Sequence, residues 1–333
     1  MRQSVWLCLC GCVVMLWSSV ARGETTEIRV AQQNGLGYLP LMIMEEQNLI
    51  EKHAQAAGLP NLKVAWSKLG GPSAMNDALL ARELDIATGG APGMITLWAK
   101  TRGTKNEVRG VSAVSSTPIW LVTSNPKVKS IRDFGPQDKI AVTAVKVALQ
   151  AILLQMAAAK EFGLENYAKL DPLTVALPHP DAAQALISGS GTITAHFSNV
   201  PFQYEEVKKP GVRTILTSGE IVGGPFTSTV AWSVGRFVNE NPKTYAAFLA
   251  ALQEAVEMIN REKKAAAEAF QRSTRSKTPV DEILQMVNDS GFLLTPTNVM
   301  QLANFMVSVG SVKTKPESWK ELFFPNIHHL SGS

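Results

Sequence analysis

The chain has 333 residues, 45% of them hydrophobic and 18% charged, with a formal net charge of +4. No basic run or RNA-binding signature stands out, which argues against a nucleic-acid partner. All three cysteines, Cys8, Cys10 and Cys12, lie near the N-terminus, so the remainder can form no disulfide and no cysteine metal site.

The first 23 residues read as a secretory signal. Arg2 precedes the apolar run "SVWLCLCGCVVMLW", and small residues follow in "SSVARG". The run is too short to remain as a membrane span. Cleavage is expected after Gly23, with Ala21 as the other position. Removing Arg2 and Arg22 lowers the formal charge from +4 to +2. About 310 residues remain, enough for two domains. An exported chain without disulfides suits a Gram-negative periplasm. "LCGC" comes too early to serve as a lipid-attachment box.

"EIRVAQQ" reads as a strand running into the loop "NGLGYLP", and one helix, "LMIMEEQNLIEKHAQAAG", follows to Gly58. "NLKVAWSK" is a second strand. "LGGPS" then opens a helix, with Pro72 at a favoured first position. "ELDIATGG" is a third strand and "APGMITLWAK" a third helix. Strands alternating with helices indicate an α/β fold with a largely parallel sheet.

"VRGVSAVSSTPIWLVTS" leaves no room for a helix between two strand-like runs, so it reads as a passage into a second domain. There, "KIAVTAV" precedes the helix "ALQAILLQMAAAKEF", "LTVALP" precedes "DAAQALISG", and "TITAHFS" precedes "VPFQYEEVKK". "VRTILTS" then leads through "GEIVGGPF" to "TSTVAWSV", the return crossing. From Asn241 to about Phe324 the pattern is nearly all helical, and "IHHLSGS" reads as a frayed tail. The expected domains are 24–116 with 218–333, and 117–217. Segments near 115–118 and 216–226 would form the hinge. Such sheets bind ligands at the C-terminal ends of their strands, and two of them facing across a hinge make a closing cleft.

Candidate site residues follow from that rule. Asn34 and Tyr38 occupy the loop after the first strand; the Tyr38 ring can stack on a ligand, or simply pack the loop. Gly70, Gly71 and Ser73, and Gly90 and Ala91, precede helices, where glycine admits close approach and free N–H groups suit anions; ordinary turn chemistry explains them too. Ser116, Phe226 and Thr227 lie at the crossings. Lys146 reads as ending a strand and opening a helix, which would suit a carboxylate or sulfonate, though lysine is commonly a solvated surface group. Trp66 and Trp120 read as packing. His196, with Asn199 three residues on, is either a ligand donor or a core histidine bonded to its neighbours. The remaining histidines, His53, His179, His328 and His329, show no metal-ligand spacing, and no nucleophile motif is present. No cofactor or metal is expected.

Several stretches together resemble a known family. "GLGYLPLMIMEEQNLIEK", "ALLARELDIATGGAPG", "SIRDFGPQDKIAV", "HPDAAQALISG" and "NENPKTYAAFLAALQEAVEMIN", in this order, are similar to the type II periplasmic solute-binding proteins of ABC importers, in the nitrate, sulfonate, taurine and thiamine-precursor pyrimidine branch. The resemblance spans essentially the whole mature chain. It implies two Rossmann-like α/β domains on a two-segment hinge, with a helical C-terminal extension. It also implies a receptor that binds a small, anionic organic solute and meets the membrane only through an ABC permease and its ATPase; without cysteines, metal-ligand spacing or a coiled-coil repeat, the mature chain is expected to be a monomer. Where the family has Gly-x-x-Asp-Ala in the second domain, this chain has "GTITAHFS", which places His196 and Asn199 in a cleft-facing loop. Two other functions fit the same resemblance: a pyrimidine synthase of thiamine biosynthesis, disfavoured by the export signal and cysteine-free mature chain, and a solute sensor docking on a signalling protein.

Overall fold

A computed structural model describes residues 23–333; the signal segment and its cysteines lie outside the described residues. Eleven strands form two sheets. The first holds β1 (Glu27–Gln32), β2 (Lys63–Lys68), β3 (Ile86–Gly89), β4 (Val108–Ser116), β10 (Thr229–Val234) and β11 (Gly291–Phe292), in the order β11-β4-β10-β3-β1-β2. The second holds β5 (Ile119–Thr123), β6 (Ile140–Val142), β7 (Thr174–Ala176), β8 (Ala195–Asn199) and β9 (Arg213–Thr217), in the order β7-β6-β8-β5-β9.

Both sheets are mixed rather than largely parallel. β1 pairs in parallel with β2 and β3, and β6 with β7 and β8. β5 and β10, the first strand after each crossing, run antiparallel to their neighbours. Each enters its sheet from the other lobe, β5 directly after β4 and β10 after the short helix Ser218–Val222, and so not through a helical crossover within its own sheet.

Alternation along β1 and β10 buries both faces of the first sheet. Ile28, Val30 and Ala231 join one apolar cluster with Leu39, Phe248 and Leu252; Ala31 and Trp232 join the other with Met75, Met94 and Trp98. Helices Leu39–Glu46, Leu49–Ala56 and Pro242–Arg261 thus cover one face, and Pro72–Leu80 and Ala91–Thr101 the other.

Three local expectations are corrected. The single helix expected to reach Gly58 breaks at Asn48, whose φ of 51° is left-handed, a conformation asparagine tolerates. Strand β6 stops at Val142, and Lys146 stands in the following loop at φ 64°. The helix starts at Leu149, so Lys146 does not open it. The tail is not frayed: Ser333 N–H donates to Pro296 O at 2.9 Å, and its own carbonyl and hydroxyl accept from Val299 and Asn298 N–H. Among the described residues no helix is long and apolar enough to cross a membrane.

Candidate functional site

The two lobes meet around a small polar cavity of about 30 Å3. The first lobe contributes Gln33 at the end of β1, Gly37 and Tyr38 on the loop beyond it, and Gly90 beyond β3. The second contributes Leu149, Gln150, His179 and Asn199, while Thr117, Ile119, Ser228 and Thr229 come from the crossings. The helices Ala91–Thr101 and Leu149–Phe162 both begin at this cavity, from opposite lobes. Their N-cap residues, Gly90 and Ala148, supply no side-chain cap; at the first of them Pro92 has no N–H and Gly93 N–H donates to Gly90 O at 3.1 Å, so few donors remain there.

A hydroxyl cluster forms the hinge side. Ser228 Oγ accepts from Thr117 N–H at 2.8 Å, lies 3.1 Å from Thr117 Oγ1, and is 3.2 Å from Ser115 O, to which it can donate. Ile119 N–H donates to Ser218 Oγ at 3.1 Å, which joins the outgoing crossing to the returning one a second time. Gly37 is needed here for close approach: a Cβ on it would lie 2.9 Å from Thr229 Oγ1 and 3.0 Å from Ser115 Oγ. Tyr38 is buried, and that burial raises its phenol well above the usual tyrosine range, so it stays neutral.

Behind the cavity a chain of buried polar groups runs into the second lobe. Gln150 Nε2 lies 3.0 Å from His179 Nε2; His179 Nδ1 lies 2.8 Å from His196 Nε2; His196 Nδ1 lies 2.6 Å from Glu206 Oε1. His196 and Glu206 are fully buried. Burial lowers both imidazoles, His196 to about 3, and pushes Glu206 up to about 8. Glu206 Oε2 makes no hydrogen bond.

The lobes also touch directly through glycines. A Cβ on Gly71 would fall 2.7 Å from Thr143 O, and one on Gly90 would fall 2.6 Å from Leu149 Cβ. Gly70 faces Pro178. Leu36 N–H donates to Val200 O at 2.8 Å, and Asn199 Nδ2 donates to Asn34 O at 3.4 Å. This seam separates the cavity from an adjoining groove of about 630 Å3, lined by Asn34, Gly35, Phe202 and Phe270 among others.

Of the expected site residues, Tyr38, Gly90 and Asn199 line the small cavity, and Asn34 lines the adjoining groove. Gly70 and Gly71 make contacts between lobes instead. Ser73 is exposed, Ala91 is buried in the apolar core, and Ser116 pairs with Gly291 across the β4–β11 ladder. Phe226 packs in the core, and Thr227 bonds Thr297 in both directions. Lys146 is exposed, and its charge acts on Asp171. His196 sits within β8, one residue deeper than His179, rather than in a cleft-facing loop. The residues not anticipated, Gln33, Thr117, Gln150, His179 and Ser228, are neutral donors and acceptors without a motif. The strand-end rule applied to "AVSSTPI", "FTST" and "PHP" is the signal that points to them. Among the described residues no group of three or more His, Cys, Asp or Glu side chains could hold a metal.

The fold is shared with solved binding proteins. The alkanesulfonate-binding protein SsuA from Xanthomonas axonopodis pv. citri, bound to MOPS, matches with a TM-score of 0.69 at 15% identity, over 88% of this chain and 96% of that one. The periplasmic aliphatic sulphonate binding protein SsuA from Escherichia coli matches with a TM-score of 0.63 at 18% identity, over 90% and 92%. The periplasmic nitrate-binding protein NrtA from Synechocystis PCC 6803 matches with a TM-score of 0.61 at 18% identity, over 79% and 70%. No curated protein matches by sequence. The NMT1-like family matches residues 21–273, about three-quarters of the chain. With two α/β lobes joined by two crossings and meeting around one cavity, the chain has the type II periplasmic solute-binding-protein fold and belongs to the NMT1-like family.

Proposed function

We propose that the protein is a periplasmic receptor that captures a small organic anion between its lobes and delivers it to an ABC permease and its ATPase. The observation that carries this reading is the convergence of neutral donors and acceptors from both lobes, among them Gln33, Gln150, Asn199 and Ser228, on one cavity at the starts of two helices. Helix N-termini and hydroxyls bind an oxyanion without a full countercharge. A solute held by both lobes favours the closed form by its extra contacts there. The alkanesulfonate-binding and nitrate-binding proteins of the same fold support a sulfonate-like or nitrate-like head. The 30 Å3 cavity has room for little more than a water or two, so capture requires the lobes to part and settle around the solute.

Calorimetric titration of the mature chain with ethanesulfonate, taurine, nitrate and propionate tests this, with glycerol as a neutral control. At least one anion should bind in the micromolar range and reduce the radius of gyration. A flat titration for every anion, with the scattering unchanged, refutes the proposal.

A further inference from the structure

The buried chain Gln150–His179–His196–Glu206 ends in the cavity at one end and in the core at the other. An imidazole that donates from one nitrogen accepts at the other when neutral, so each ring passes the direction of a hydrogen bond along. Two directions are therefore available. In the inward direction the Gln150 amide nitrogen donates to His179, each ring carries its proton on Nδ1, and Glu206 Oε1 accepts. In the outward direction the Glu206 carboxyl donates to His196 Nδ1, each ring carries its proton on Nε2, and His179 donates to the Gln150 oxygen. The Gln150 amide is then turned by half a rotation, with its NH2 free for the cavity. In the structure the Gln150 amide nitrogen faces His179 Nε2 at 3.0 Å, the inward arrangement; the 2.8 Å and 2.6 Å separations suit either direction, and the outward one needs only the amide turned. Ionised Glu206 has no proton to give, and so permits only the inward direction.

We infer that Glu206, acting through His196 and His179 as a positioning residue, decides whether Gln150 offers nitrogen or oxygen to the cavity, and that its protonated form sets the site for oxyanion heads. This deepens the solute-capture reading and rests on it. Burial that holds Glu206 protonated to about pH 8 keeps the outward direction open at neutral pH. The groups around Glu206 leave this assignment intact. His196 on β8 and His179 on the helix His179–Ser188 are both held neutral by burial. Glu205, on the same helix as Glu206, is a like charge that opposes ionisation. Asp181 is exposed on the helix that carries His179. Arg213 on β9 is engaged by the backbone carbonyls of Asn125 and Val128. On β5, Trp120 stacks on Tyr204 and adds no charge.

Histidine 15N NMR on the full mature chain reads the direction without any solute, and the chain has only five histidines to assign. His179 and His196 should carry their protons on Nε2 at pH 6.5 and on Nδ1 at pH 9.5. In Glu206→Gln, which cannot ionise, the tautomers should be the same at both pH values. Ethanesulfonate binding should weaken about tenfold between pH 6.5 and pH 9 in the wild type, the fraction of protonated Glu206 falling accordingly, and less than twofold in Glu206→Gln. Unchanged tautomers in the wild type, or an equal loss of affinity in both proteins, overturn the inference. An intact tautomer switch in a protein that binds none of the anions overturns the capture reading alone.

Discussion

Adding a single methyl group at Gly71 should hold the lobes apart without harming either one. Gly71 is extended, with φ of −177°, so alanine fits its backbone. The new Cβ would lie 2.7 Å from Thr143 O, a backbone atom of the opposite lobe. A backbone atom cannot rotate away as a side chain can, so the lobes must separate to relieve the contact. Overpacking of this kind costs about 1–3 kcal/mol. The cost falls only on the closed form, so it appears as about 5- to 150-fold weaker solute binding. The melting temperature of the solute-free protein should hold or rise slightly, since alanine restricts the unfolded chain. Gly90→Ala, with φ of −66° and its Cβ 2.6 Å from Leu149 Cβ, should act in the same direction and to a similar extent, because a Cβ is fixed to its backbone and no rotamer of Leu149 relieves the contact. Gly219→Ala, where the nearest atom is 3.9 Å away, is the control. Calorimetry gives the affinity, and scattering gives the radius of gyration with and without solute. Wild-type affinity in Gly71→Ala, with full compaction on binding, would refute this account of closure.

His196→Ala should lower stability by about 2–4 kcal/mol, because it leaves His179 Nδ1 and Glu206 Oε1 buried without their partner; a thermal melt within a degree of wild type contradicts this. Stability should also depend on pH through the same groups. Glu206, raised from 4.5 to about 8 on folding, contributes stability that is present below pH 4.5 and lost as pH rises through 8. The lowered histidines contribute stability that is present above pH 6.5 and lost as pH falls. The two trends oppose each other between pH 4.5 and 6.5, so the net loss appears from pH 6.5 to 8, on the order of 1–2 kcal/mol. Chemical denaturation at pH 6.5 and 8.5 measures it, and Glu206→Gln should remove it; a wild-type stability that rises over that interval contradicts the assignment.

The order of elements and the two crossings were legible because glycine and proline punctuate them and because strand and helix periods differ. The sense of β5 and β10 was not, since direction within a sheet depends on which lobe a strand arrives from. Gly70 and Gly71 stand at contacts between the lobes, with Pro178 and Thr143; the lack of a side chain suits close approach of a lobe as well as of a solute, so the sequence alone does not separate the two. Lys146 drew attention by its charge, but a left-handed turn carries it away from the helix start. His196 and His179 show the deeper difficulty. They stand 17 residues apart, on a strand and on a helix start, and only the fold brings their rings together at 2.8 Å. No spacing rule links them.

The bonds that tie Thr117 and Ile119 to Ser228 and Ser218 join the outgoing and returning crossings side by side. Two segments laced together twist as one ribbon, so in the proposed closure the lobes would swing about one axis instead of wandering about two. Points on an axis scarcely move when a body turns about it, whereas points away from it sweep an arc. If the lobes open and close as proposed, Thr117 and Ser228 would present nearly the same surface to a solute in both forms. Gly71 and Thr143, carried on separate lobes, meet only at the end of the swing. On the proposed capture, a solute would meet the molecule first at its fulcrum, and the outcome would register at its jaws.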